Sequence, residues 1–294
     1  MAPLLLALAI AGGATEHGRL VLGAGAVTGW ANDPFVGAGL GGGPVLAVSP
    51  DARLDLSLSP RLKLAFGGDL SWLRFTGADF EALESRARAE ARLVVRRVDL
   101  SVELSAGHSE YSRAVAIAEL SASSSITSTE SVVLAPGARL RAGPVALRGA
   151  VELSTRWSEA DDDVSERAFA PCAGLEWRVH RRLEAQVAAR HERVASARPD
   201  FARVSTGGEA VLSAVAIEEG PLEVAWRGGR DRIRFDTGVA ETLSHVTLEV
   251  THPVGQVIGI VAWSWSRSEA DGAAGASRNA VYAGLRARSR ALSW

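Results

Sequence analysis

The sequence predicts an all-β fold, a transmembrane antiparallel up-and-down β-barrel of about fourteen strands. Three observations predict it: a period of two that runs through nearly the whole chain, connections that alternate between short and long, and the near-exclusion of charge from one of the two faces. A chain of 294 residues is long for one soluble domain but ordinary for a large barrel. No internal stretch approaches the roughly 18 consecutive apolar residues of a transmembrane helix. The formal net charge of −2 lacks the basic excess of a nucleic-acid binder.

The N-terminus opens with an apolar run, Pro3 to Ala11, closing on Ala9-Ile10-Ala11 with a second small-residue site at Gly12-Gly13-Ala14. Residues 1–14 therefore read as a secretory signal and 15–294 as the barrel. No Lys or Arg precedes the apolar run, so a start further upstream, or a buried N-terminal segment, is the competing reading. The single cysteine, Cys172, has no partner for an intramolecular disulfide and reads as a small wall residue.

The strands follow in order. From Arg61 to Trp72, Leu62, Leu64, Phe66, Leu70 and Trp72 share one parity and Arg61, Lys63, Asp69 and Ser71 the other. From Arg86 to Arg96 the apolar set is Ala87, Ala89, Ala91, Leu93 and Val95, against Arg86, Arg88, Glu90, Arg92 and Arg96. Val98 to His108 sets Leu100, Val102, Leu104 and Ala106 against Asp99, Ser101 and Glu103. The same alternation holds over 145–157, 169–179, 183–191 and 222–226. The segments 204–217 and 255–265 are apolar on both faces and leave the count open between about 12 and 16 strands.

Tight turns are expected at Ser59-Pro60-Arg61, Arg96-Arg97, Gly143-Pro144, His180-Arg181-Arg182, Glu219-Gly220-Pro221 and His252-Pro253. Longer polar loops are expected near 31–44, 76–85, 112–130, 158–166, 194–203, 236–241 and 267–278, in strict alternation with the turns. That asymmetry belongs to bacterial outer-membrane barrels, whose periplasmic turns are short, and it places both chain ends at the periplasmic side. A β-sandwich would fill its apolar face with large buried residues, whereas here that face carries many Ala and Gly. Trp30, Trp72, Trp157, Trp226, Trp263 and Trp265 are expected on the lipid face towards the long-loop end, and Trp177 towards the short-turn end, as two girdles. Charge is kept off this face except near strand ends, because an Arg at the bilayer midplane costs about 2–4 kcal/mol.

The last strand, Asn279 to Trp294, sets Val281, Ala283, Leu285, Ala287 and Ala291 against Arg286, Arg288 and Arg290. Tyr282, Gly284 and the terminal Trp294 are similar to the C-terminal signal read by barrel-insertion machinery. Trp294 falls on the polar parity, so a late bulge is needed for it to face lipid.

The stretch from Val27 to Leu93 carries Gly29-Trp30-Ala31-Asn32-Asp33-Pro34-Phe35, Gly43-Pro44-Val45-Leu46, Leu54-Asp55-Leu56-Ser57-Leu58-Ser59-Pro60-Arg61-Leu62 and Asp69-Leu70-Ser71-Trp72-Leu73-Arg74-Phe75. It resembles an uncharacterised family of β-barrel porins from proteobacterial outer membranes, some relatives of which are encoded beside exopolysaccharide export systems. Those proteins begin with a Gly-Tyr-Asp-x-Asn-Val-like run, where this chain has Trp30 for Tyr and Asp33-Pro34 for Asn-Val. The resemblance implies a passive porin or export-type channel, with a polysaccharide as a candidate cargo, and transfers no catalytic residue; neither a metal nor a cofactor is expected.

The inward parity collects the candidate pore-lining residues Arg61, Lys63, Arg86, Arg88, Glu90, Arg92, Asp99, Glu103, Arg148, Glu152, Arg286, Arg288 and Arg290. Arg rows would favour anions by lowering the electrostatic cost of entry. The competing reading pairs Arg with carboxylates across the lumen and closes it, since strands 86–96 and 98–108 are expected to set Arg directly opposite Asp and Glu. In that case the barrel is structural and its loops, such as 112–130, bind a partner. A hydrolase would need a base beside Ser109, but the adjacent His108 points to the opposite face of a strand. The acidic runs Glu159 to Asp163 and Glu269 to Asp271 read as solvated loops and the Gly-rich run 37–43 as a flexible one.

Overall fold

A computed structural model of the protein describes residues 17–32, 42–77, 80–115, 126–160, 164–215, 222–270, 275–289 and 292–293. The expected signal peptide, most of the Gly-rich run and of loop 112–130, the turn at 219–221, Asp161 to Asp163, Asp271, Arg290 and Trp294 lie outside the described residues.

Fourteen long strands form the wall: β1 (His17–Ala31), β2 (Gly43–Ser57), β3 (Leu62–Phe75), β4 (Phe80–Val95), β5 (Val98–Val115), β6 (Ile126–Ala142) and β7 (Val145–Ala160) make one half. β8 (Val164–His180), β9 (Leu183–Ser196), β10 (Arg203–Val215), β11 (Glu223–Phe235), β12 (Ala240–Val254), β13 (Val257–Ala270) and β14 (Ala276–Arg288) make the other. Each strand pairs antiparallel with its sequence neighbours, and β14 pairs with β1 from Gly23↔Arg288 to Ala31↔Ala280, which closes the sheet and removes its edges. The two segments that are apolar on both faces resolve as single strands, β10 and β13.

A two-residue strand, β15 (Leu292–Ser293), continues the last wall strand along β1, pairing Leu20↔Leu292 and Arg19↔Ser293. Its register is offset by one residue from that of β14, which is the late bulge the terminal parity demands. Leu292 is 62 % exposed, so the flip turns its parity outward.

Alternation along the strands assigns the faces. Leu100, Val102 and Leu104 on β5 are 45 %, 47 % and 50 % exposed, on the same face as Leu93, Leu140 and Leu147 of neighbouring strands. A soluble protein does not carry so wide an apolar surface. On the other face side chains two strands apart meet, as Arg286 on β14 meets Asp51 on β2 at 2.9 Å, which a concave wall allows.

Five expectations change. The β12–β13 turn falls at Gly255-Gln256, with φ of 67° at Gly255, and Pro253 stays inside β12 opposite Ile258. Turn and loop lengths do not alternate strictly: the connection at the long-loop end between β7 and β8 spans only 161–163, while that at the short-turn end between β10 and β11 spans 216–222. Strands such as β7 and β8 run on past the expected loop boundaries at 158 and 166 and absorb those residues. Trp226 lies near the start of β11, at the short-turn end, and so joins Trp177 rather than the outer girdle. Charge also enters the outward face within β11, at Arg230, Arg232 and Arg234.

Candidate functional site in the barrel interior

The inward parity of each strand follows from its register. On β3 and β4 it carries Lys63 and Asp69, then Arg86, Arg88, Glu90 and Arg92, with Lys63 opposite Arg92 and Asp69 opposite Arg86. Arg61 lies in the turn before β3, exposed, ahead of the wall. Between β4 and β5 the expected Arg-to-acid pairs are not directly opposite. Arg88 faces Ser105, Arg92 faces Ser101 and Glu90 faces Glu103, because the two-residue turn Arg96-Arg97 fixes Val95 opposite Val98. Arg92 reaches Asp99 diagonally instead, at 2.5 Å.

Asp99 is the most heavily engaged carboxylate among the described residues. Its Oδ2 accepts from Arg92 Nη2 at 2.5 Å, from Arg141 Nη2 at 2.5 Å and from Arg141 Nε at 3.1 Å, with Arg139 Nη1 at 4.0 Å. Its side chain is 4 % exposed, whereas those three arginines keep 37 %, 49 % and 34 % of theirs. Arg139 also donates to Glu176, and Arg148 stands 3.9 Å from the same carboxylate. These groups ring the short-turn mouth, where Arg139, Arg141, Glu176, Arg178 and Glu184 line an open recess of about 210 Å³.

Further along the wall Arg190 joins Glu152 and Glu192, each at 3.3 Å, Arg227 joins Glu209 at 3.0 Å, and Arg286 joins Asp51. Inward glycines make room for some of these groups to lie flat. A Cβ at Gly23 would fall 2.4 Å from Asp51 Oδ1, and one at Gly207 would collide with the Asp231 carboxylate. Arg88 likewise lies over Gly67, its Nε 3.1 Å from where a Cβ would stand. Arg86, Arg88, Glu103 and Arg288 are exposed, and no ion pair joins them to another described residue. Arg290 lies outside the described residues.

The interior at the long-loop end holds buried apolar clusters, which the sequence reading missed. Phe75 and Phe80, paired at the tops of β3 and β4, are fully buried with Ala31, Val45, Ala82 and Ala280, and Leu73, Tyr111 and Tyr282 pack against them. Tyr111 stacks on Phe80 with ring centroids 6.2 Å apart. Across the barrel Val194, Phe201, Ile233 and Phe235 are each 7 % exposed or less. Phe201 belongs to the β9–β10 connection, 197–202, where Arg198 sits 5.0 Å above its ring and pairs with Asp200 at 2.6 Å. Hydrogen bonds from Arg198 hold the Asp200 carboxyl below the usual carboxylate range, outweighing the opposing effect of burial. Beneath them Glu166 accepts from Arg203 at 2.6 Å, with Arg156 at 3.6 Å. The aromatic residues flank loops rather than sit mid-strand, where a period of two carries little information; their only sequence signal is an aromatic on either side of a short connection.

His108 and Ser109 face opposite sides, with His108 turned outward 3.9 Å from Glu130.

No family model and no curated protein matches this chain. Solved structures match in fold. OmpT, an outer membrane protein of Vibrio cholerae, aligns with a TM-score of 0.55 at 7 % identity over 92 % of this chain and 99 % of its own. An anion-selective porin from Comamonas acidovorans aligns with a TM-score of 0.52 at 11 % identity over 93 % and 100 %. The toluene transporter TodX of Pseudomonas putida aligns with a TM-score of 0.50 at 10 % identity over 93 % and 89 %. The chain is an all-β, closed, antiparallel barrel of the bacterial outer-membrane type.

Proposed function

We propose that the protein is a passive, non-enzymatic outer-membrane channel whose basic wall favours small anionic solutes, a polysaccharide being the alternative cargo. The observation that carries this reading is the pair Arg86 and Arg88 on β4, exposed on the inward parity with no ion-pair partner among the described residues. Unneutralised guanidinium groups lower the electrostatic cost of an anion beside them. The anion-selective porin among the fold relatives supports the same direction without identifying a solute. The resemblance of residues 27–93 to the proteobacterial porin family, and of the C-terminal strand to the insertion signal, belong to this reading as well.

The test is single-channel recording in a planar bilayer under a salt gradient. The wild type is expected to conduct with a reversal potential on the anion side. Arg86→Gln with Arg88→Gln should move that potential towards zero without abolishing insertion. A folded barrel that carries no current would sink the proposal.

A second reading has its own support: the buried aromatic clusters at the long-loop end and the paired charges at the short-turn mouth both fill interior space. It describes a closed structural or surface-interaction barrel whose outer loops bind a partner. Its expected result in the same experiment is silence from the wild type.

A further inference from the structure

The apolar belt of the outer face is uneven. On β8 the outward positions stay apolar from Phe169 to Val179, and on β7 from Val145 to Trp157 apart from Thr155. Counting from the short-turn end, apolar character stops at Ala189 on β9 and at Gly228 on β11. Beyond those points come His191 and Arg193 on β9, and Arg230, Arg232 and Arg234 on β11. The register places β10 between them as a floor: Arg193↔Val204↔Arg234, His191↔Thr206↔Arg232 and Ala189↔Gly208↔Arg230. Strand spacing sets the two cationic rows about 10 Å apart, and successive outward residues of one row are about 7 Å apart.

The arrangement is a shallow cleft with a floor of small residues and basic walls. His191 Nδ1 on one wall meets Thr206 Oγ1 on the floor at 2.8 Å. Arg193, Arg230, Arg232 and Arg234 are all exposed, and none forms an ion pair with another described residue. Glu269 on β13, an outward carboxylate near this edge, is engaged by Arg267 at 2.8 Å. Such side chains are costly inside hydrocarbon and nearly free of cost at the interface, so the bilayer surface must reach down to them. A guanidinium fork matches a phosphate bidentately, and several in register match more than one.

We propose that this cleft binds the phosphate groups of an anionic, multiply phosphorylated lipid in the leaflet on the long-loop side. The inference goes beyond the channel and holds whether or not the interior conducts.

The test uses the full-length folded barrel in detergent and native mass spectrometry, with bisphosphorylated lipid A, its monophosphoryl form, phosphatidylcholine and inorganic phosphate as separate probes. The wild type is expected to retain the bisphosphorylated lipid over the monophosphorylated one, and both over phosphatidylcholine. Replacing Arg230, Arg232 and Arg234 together by Gln should weaken retention by about fivefold per arginine and on the order of a hundredfold in all. Arg74→Gln, an outward arginine at the end of β3 paired with Glu81 at 3.5 Å, should change nothing. Heat-modifiable gel mobility confirms that each variant is folded, and the triple Lys variant, which keeps the charge, should keep part of the binding. Equal retention by the Gln variant, no preference for anionic lipid, or displacement by inorganic phosphate at equal concentration would each overturn the proposal.

Discussion

Asp99 shows what one residue does to a wall of arginines. Its carboxylate is nearly removed from solvent and is held by guanidinium groups from β4 and β6, so it joins three strands at the short-turn mouth. Asp99→Asn leaves those cations facing one another without a counter-charge. Because each arginine stays a third to a half exposed, water takes up part of the loss, and the expected destabilisation is about 1–3 kcal/mol. Urea unfolding of the barrel in detergent, followed by Trp fluorescence, would measure it as a lower midpoint at unchanged slope. An unshifted midpoint would mean the cluster contributes geometry but no stability. On the channel reading proposed above, the same clustering would neutralise three of the wall's cations and leave Arg86 and Arg88 among the unpaired ones that a passing anion would meet.

At the scale of the element, hairpins set which residues meet. Three of the two-residue connections use a residue with φ above zero: Gly143 at 63°, Gly255 at 67° and Arg96 at 54°. Right-handed strand twist favours such turns, and glycine adopts them without a Cβ penalty. Arg96 is the exception, and Arg96→Gly is expected to raise the urea midpoint by an amount equivalent to about 1 kcal/mol. A lower midpoint would show that the Arg96 side chain contributes more than its backbone strain costs. The tightness of that turn is also why Glu90 stands opposite Glu103 and Arg92 must reach sideways to Asp99.

At the scale of the whole molecule, side chains fill the interior from both ends. Sheet closure turns Phe75, Phe80 and Tyr111 inward at the long-loop end, with Phe201 and Phe235 buried on the opposite side. If these clusters constrict the path, Phe75→Ala with Phe80→Ala should raise single-channel conductance. The same change should lower stability by about 3–5 kcal/mol per fully buried ring removed, measured by the shift in the urea midpoint. Unchanged conductance from folded channels would place the constriction at the charged short-turn mouth instead.

Much of this was legible in the amino-acid order because a barrel's wall is a local property. Each strand must alternate between lipid and interior, so the period of two, the late bulge before Trp294, the even strand number and the inward arginines follow from neighbours in the chain. What needed the folded molecule was everything set by pairing between strands. Residues opposite each other depend on register, so the offset of Arg92 from Asp99, the flat seats at Gly23 and Gly207, and the place of Trp226 in the short-turn girdle emerge only once the sheet closes. The basic cleft over β10 belongs to the same class: its arginines lie on β9 and β11, and only hydrogen-bonded registration through β10 makes two separate runs of sequence into one surface.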